Sequence, residues 1–171
     1  TLFSRVKREF YVKNEESLAN DFITGTPDII TSLSVDDMEI IDIKSSWDIY
    51  TFFRSKHKEI NKLYYWQLQS YMALTGAKKS RLAYCLVNTP DQLIEGEKRK
   101  LWYAMGQPNT ESELYLQGCN EVERMCLYDD IPKEERVHEF IIDRDDAMIE
   151  KMYNRTIECN KWMDENLFKV P

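Results

Sequence analysis

Two carboxylates and one amine sit on two short apolar runs of this chain. Asp28 closes Gly25-Thr26-Pro27-Asp28 ahead of Ile29-Ile30, and Asp42 and Lys44 lie within Ile40-Ile41-Asp42-Ile43-Lys44. Runs this short and this rich in isoleucine read as strands. Successive side chains of a strand alternate faces, so Asp42 and Lys44 share one face while Ile41 and Ile43 turn toward a core. Charges held beside buried isoleucines are costly unless something uses them. Asp28 lies fourteen positions before Asp42, enough for a turn from Thr31 to Asp37 to fold the first run back beside the second and let all three groups converge. Paired carboxylates suit a hard divalent cation such as Mg²⁺, which prefers oxygen ligands. An ammonium on the same face would orient water or stabilise the negative charge of a transition state. Such a set of groups suits metal-assisted hydrolysis of a phosphodiester.

The arrangement resembles the PD-(D/E)xK phosphodiesterase superfamily, with Pro27-Asp28 as the PD element and Asp42-Ile43-Lys44 as the D-x-K element. Ser45-Ser46-Trp47 follows, and then a helix containing Gln67-Leu68-Gln69-Ser70-Tyr71. That segment is similar to the Q-x-x-x-Y element of RecB-type nucleases and to the Q-x-Q element of lambda-exonuclease-like (YqaJ-type) viral recombinases. Together these elements cover roughly residues 6 to 87. The resemblance implies Asp28, Asp42 and the carbonyl of Ile43 as ligands of Mg²⁺, with Mn²⁺ as a substitute, Lys44 as the catalytic amine and Gln67 as an active-site amide. It also implies DNA as substrate, at duplex ends. Relatives of the exonuclease type form rings around DNA, so a homo-oligomer or a single-strand annealing partner is a further expectation.

Several side chains carry two readings. Gln67 can donate to a phosphate or accept from Lys44, or simply bond to nearby backbone. Tyr71 either packs against the strands or touches the DNA backbone, and Gln69 points away from Gln67 on the helix. Ser45 and Ser46 are phosphate contacts or ordinary strand-ending serines. Trp47, Tyr50, Phe52 and Phe53 either stack on a frayed strand end or anchor their loop. Arg54 and Lys56, with His57, Lys58 and Lys62, form a basic cluster next to the site in sequence, as DNA contacts or as a solvated face.

Composition bounds these readings. The chain has 171 residues, 43% hydrophobic and 31% charged, the size and make-up of one globular domain. A net charge of −7 argues against broad nucleic-acid binding through one basic face, but leaves local phosphate contacts open. The cysteines at 85, 119, 126 and 159 have no C-x-x-C spacing, which disfavours zinc. Relatives with an iron-sulfur cluster carry one early cysteine and three clustered late ones, a pattern missing here, so no cluster is expected. No signal peptide or membrane-spanning run is visible, so the protein is expected in the cytoplasm, the host's if it is viral.

Periodicity and breakers predict a strand over Val6 to Lys13, a second over Phe22 to Thr31 and a third over Met38 to Lys44. A loop with Trp47, Tyr50, Phe52 and Phe53 then leads to a helix from Lys58 to Thr75 ending at Gly76, whose inward stripe is Ile60, Leu63, Gln67, Tyr71 and Leu74. A strand over Arg81 to Asn88, helices over Pro90 to Met105 and Glu111 to Met125, a strand over Arg136 to Ile142, and a last helix capped by Asp143 with Asp146 three residues later and running to about Asn166 complete the order. This is an α/β (α+β) pattern, a central mixed β-sheet flanked by helices with a restriction-endonuclease-like core. Residues 1–171 are read as a single nuclease domain. Relatives usually carry a helix before the first strand that adds an acidic ligand, and no Glu precedes Val6. A longer protein of which this chain is a fragment would supply it; otherwise Glu15, Glu16 or Asp21 would substitute.

Three functions fit: a phage-type exonuclease acting on duplex ends, a RecB-like or restriction-type endonuclease, and a catalytically weak DNA-binding or assembly subunit.

Overall fold

A computed structural model describes residues 1–31 and 37–167. The chain runs α1 (Leu2–Lys7), β1 (Leu18–Ala19), β2 (Thr24–Gly25), β3 (Ile29–Ile30), β4 (Glu39–Ser46), α2 (Ile49–Lys56), α3 (Lys62–Thr75), β5 (Lys79–Leu86), α4 (Asp91–Ala104), α5 (Glu113–Cys126), a 3-10 turn (Lys133–Arg136), β6 (Val137–Asp143) and α6 (Asp146–Asn166). Four strands form one sheet in the order β3-β4-β5-β6, and β1 pairs with β2 in a separate ladder.

The sheet is mixed, as expected. Strand β3 is antiparallel to β4, with Ile29 opposite Ile41 and Ile30 opposite Ile40. Thr31 closes the base of this hairpin, its hydroxyl accepting from Glu39 N at 3.0 Å. The tip of the expected Thr31 to Asp37 turn falls outside the described residues. Glu39 and Arg81 pair at the starts of β4 and β5, and Val87 N donates to Ser46 O at their ends, so these strands run parallel. Arg144 N reaches Lys78 O, just past the end of β6 and just before the start of β5, so that pair is antiparallel.

By its contacts the chain divides into two compact units. The first holds Thr1–Glu9, Lys44–Lys58 and Tyr84–His138, and the second Phe10–Ile43, Glu59–Ala83 and Glu139–Pro171. In the second unit Ile40, Ile41, Leu68, Met72, Ala77, Leu82 and Ala83 are all fully buried. Each of the larger aliphatic side chains among them contributes about 1.5–3 kcal/mol of transfer free energy. The first unit is built on Phe3, Phe52, Leu86, Ile94 and Tyr128.

Four local expectations are corrected. Residues 6–13 form no strand: Thr1 caps a short helix through its hydroxyl on Ser4 N, Phe3 anchors it, and Arg8 ends it in the left-handed region at φ 56°. The loose alternation of Phe10 and Val12 leads nowhere, since both are exposed. Phe22 to Thr31 breaks into β2 and β3, because Pro27 has no N–H to give a ladder. The aromatic segment read as a loop is α2, started by Asp48, whose carboxylate accepts from Tyr50 N and Thr51 N. The long last helix, α6, is capped by Asp145 rather than by Asp143 with Asp146, through Met148 N at 3.0 Å. Among the described residues no helix is long and apolar enough to cross a membrane.

Candidate active site

The β3–β4 hairpin brings the two aspartates together. Asp28 precedes β3, and its Oδ2 accepts a hydrogen bond from Ile43 N at 2.8 Å. The first carboxylate is thereby tied to the residue between Asp42 and Lys44. Asp42 is 2% exposed in the middle of β4, directly after the fully buried Ile40 and Ile41. Both faces of the strand are covered at this point, so its charge is held in a place where ionisation needs compensation. Lys44 lies two positions further along β4, half-buried, and strand alternation gives it the face of Asp42.

Asn14 supports the Asp28 turn, a role the sequence did not signal. Its Nδ2 donates to Pro27 O at 3.0 Å and its backbone N to Asp28 O at 2.7 Å. The segment that follows carries Glu15 and Glu16, two of the carboxylates considered as substitutes. Glu15 is exposed and pairs with Lys13, and Glu16 and Asp21 are exposed. Among the described residues no cluster of three or more His, Cys, Asp or Glu side chains is arranged to hold a metal ion. A site here would rest on two carboxylates and a backbone carbonyl, all hard oxygen donors of the kind Mg²⁺ and Mn²⁺ take.

Helix α3 begins at Lys62, where Asn61 caps Leu63 N at 2.9 Å, and stops at Gly76 in the left-handed region at φ 81°. Its buried face is Leu68, Gln69, Tyr71 and Met72, and Leu63 is 75% exposed, so the inward stripe is rotated from the one expected. Gln67 is half-buried and donates through Nε2 to Tyr71 Oη at 2.9 Å. The Tyr71 ring lies under Gly25, where an added Cβ would meet Tyr71 Cε1 at 2.7 Å. Tyr71 is thus buried against Gly25, at the start of the Gly-Thr-Pro-Asp turn that carries Asp28, and Gln67 is bonded to it. Gln69 is fully buried; it donates to Asp143 O and accepts from Asp145 N, both at 2.9 Å, joining α3 to the start of α6.

The remaining candidates lie in the first unit. Ser45 is exposed, and Ser46 donates its hydroxyl to Asp48 O at 3.0 Å. Trp47 is 50% exposed, and its carbonyl accepts from Thr89 Oγ1 and Tyr128 Oη. Arg54 and Lys56 are exposed on α2, with Lys56 Nζ donating to Glu135 O. Tyr50 and Phe53 are exposed on the same helix, but Phe52 is buried and belongs to the core.

No protein-family model matches the sequence, and no curated protein matches it. Among solved structures the chain is similar to a phage related exonuclease from Haemophilus somnus 129PT, at 27% identity and a TM-score of 0.68, over 96% of this chain and 65% of that one. It is also similar to the alkaline exonuclease LHK-Exo from Laribacter hongkongensis, at 14% identity and a TM-score of 0.57, over 95% of this chain and 61% of that one. LHK-Exo in complex with dAMP is matched at 15% identity and a TM-score of 0.58, over 95% and 62%. The chain thus spans 61 to 65% of the length of these proteins. It has the fold of phage-related and alkaline exonucleases, the α/β sheet flanked by helices that the resemblance implied.

Proposed function

We propose that this chain is the nuclease domain of a divalent-metal-dependent deoxyribonuclease that degrades duplex DNA from its ends. The observation that carries the proposal is the Asp28 carboxylate held against Ile43 N, next to a buried Asp42 and one step from Lys44. Likeness over 96% of the chain to a phage related exonuclease supports the exonuclease reading, and a relative of the same fold bound to dAMP, a deoxynucleotide, supports DNA.

Asp28, Asp42 and the carbonyl of Ile43 would hold Mg²⁺ or Mn²⁺. The cation would lower the pKa of a bound water and draw charge from the phosphate. Lys44, on the Asp42 face of β4, orients the attacking water and stabilises the extra negative charge in the transition state. Gln67, held by Tyr71 beneath the Asp28 turn, aligns the phosphate by donating to an oxygen. Ser45, Ser46, Arg54 and Lys56 follow the lysine and contact the DNA backbone.

Incubation with end-labelled linear duplex and covalently closed circular DNA, in Mg²⁺, Mn²⁺ or EDTA, tests the reading. Linear DNA should be degraded in either metal and spared in EDTA, circles should survive, and activity should fall steeply with salt as phosphate contacts release counterions. Rapid cutting of closed circles would indicate an endonuclease. No cleavage of either substrate would favour a DNA-binding or assembly subunit.

A further inference from the structure

A groove of about 1100 Å³ lies in the first unit, bounded by the start of α2, helix α4 and the end of α5 with the segment after it. Its apolar lining is unusually open to solvent. Trp47 is 50% exposed, Tyr50 69%, Leu93 46%, Met125 64% and Leu127 40%. Contiguous exposed side chains of this size mark interaction sites on soluble proteins, and Trp, Tyr and Met are the types enriched in interface cores.

Charge decides what can occupy it. Glu97, Glu123, Asp129 and Asp130 line the groove together with the capping Asp48, against Arg124 as the one basic side chain. Lys98 pairs with Glu123 at 2.7 Å, Lys100 with Glu97 at 2.7 Å and Arg136 with Asp129 at 3.6 Å, all three from outside the lining, so the excess of negative charge rests on Asp48 and Asp130. The excess of carboxylates repels a phosphate backbone, so the groove is not an extension of a DNA track. An apolar floor with an acidic rim is complementary to a helix that carries one apolar stripe flanked by lysine or arginine.

We propose that this groove docks a cationic amphipathic helix of a partner protein. Trp47, on its wall, is three residues from Lys44 along the chain, so an occupant would sit beside the end of the strand that carries the D-x-K motif. The inference does not depend on nuclease activity and goes beyond it.

The test uses the full chain and a fluorescently labelled 14-residue (roughly four turns) helical peptide of leucine and lysine, with a leucine and glutamate peptide of the same pattern as control. Anisotropy should show saturable binding of the cationic peptide and none of the anionic one. The double variant Leu93→Ser/Met125→Ser, which leaves every groove charge in place, should weaken binding by about 10-fold or more, the scale of a central interface anchor. The variant Ile157→Ser/Trp162→Ser, which alters exposed apolar residues of α6, should bind as the parent does. Absence of saturable binding, equal binding of the anionic peptide, or undiminished binding to Leu93→Ser/Met125→Ser would overturn the proposal. Displacement of the peptide by a short DNA duplex would also overturn it, by assigning the groove to nucleic acid.

Discussion

The carboxylate of Asp28 accepts a hydrogen bond from the backbone N–H of Ile43 at 2.8 Å, joining residues fifteen apart in sequence. One oxygen of Asp28 thereby fixes the hairpin that the site is built on, so structural and chemical roles can be separated by substitution. Asp28→Ala leaves a part-buried N–H without its acceptor and should cost about 1–3 kcal/mol of stability in urea unfolding. Asp28→Asn keeps an acceptor oxygen at nearly the same shape and should recover most of that stability while remaining inactive. Equal instability of the two variants would show that the charge itself holds the hairpin.

Lys44 is expected to act on the reaction and not on the cation. Lys44→Ala should retain or strengthen Mg²⁺ affinity, because a nearby positive charge is gone, and lose turnover. Calorimetric titration alongside a cleavage assay checks this, and a parallel loss of affinity and activity would contradict it.

Gln67 and Tyr71 should behave as one unit. Gln67→Ala is expected to lower activity by roughly 10 to 100-fold, the usual scale for a group that positions the reacting centre from one step away. If the Tyr71 hydroxyl holds Gln67 in place, Tyr71→Phe should show part of that loss, and the double variant should be no worse than Gln67→Ala alone. Additive losses would separate the two side chains. Gly25→Ala should also reduce activity, since its Cβ would press on the Tyr71 ring at 2.7 Å.

The neighbouring placement of Asp28 and the D-x-K strand was legible in the sequence because its elements are local. The D-x-K motif lies within one strand and the Pro27-Asp28 turn just ahead of another, and alternation along an isoleucine-rich strand needs no knowledge of distant contacts. Gln67 and Tyr71 are one helical turn apart, so their pairing follows from the period. What the sequence hid depends on the tertiary environment. The buried face of α3 is set by what packs on it, so Leu63 is exposed while Gln69 is buried with its amide bonded to α6. Asn14 acts on Pro27 and Asp28 across thirteen or more residues of irregular chain, for which no pattern exists. The helical character of Ile49–Lys56 was legible in principle, since Asp48 three residues before Thr51 is a capping signal.

That cap gives a pH prediction. The Asp48 pKa is lowered by its hydrogen bond from the Thr51 hydroxyl, against a smaller desolvation that raises it, with the N–H groups of Tyr50 and Thr51 and the nearby Arg54 adding to the lowering. A depressed folded-state pKa contributes stability above the unfolded value and loses it as pH falls through the folded one. The contribution should therefore be intact at neutral pH and disappear below the usual aspartate range. Asp48→Ala should cost about 1 kcal/mol at pH 7, the usual value of an N-cap, and much less at pH 3 or lower (about one unit under a free aspartate). A cost that does not change between these conditions would mean the carboxylate is not the cap.

The central claim is that Asp28 and Asp42 together hold a divalent cation. Anomalous diffraction from crystals grown with Mn²⁺ measures this directly. The account predicts one strong peak within coordination distance of both carboxylates and the Ile43 carbonyl, lost in Asp42→Asn. No peak there, or a peak that survives in Asp42→Asn, would contradict it.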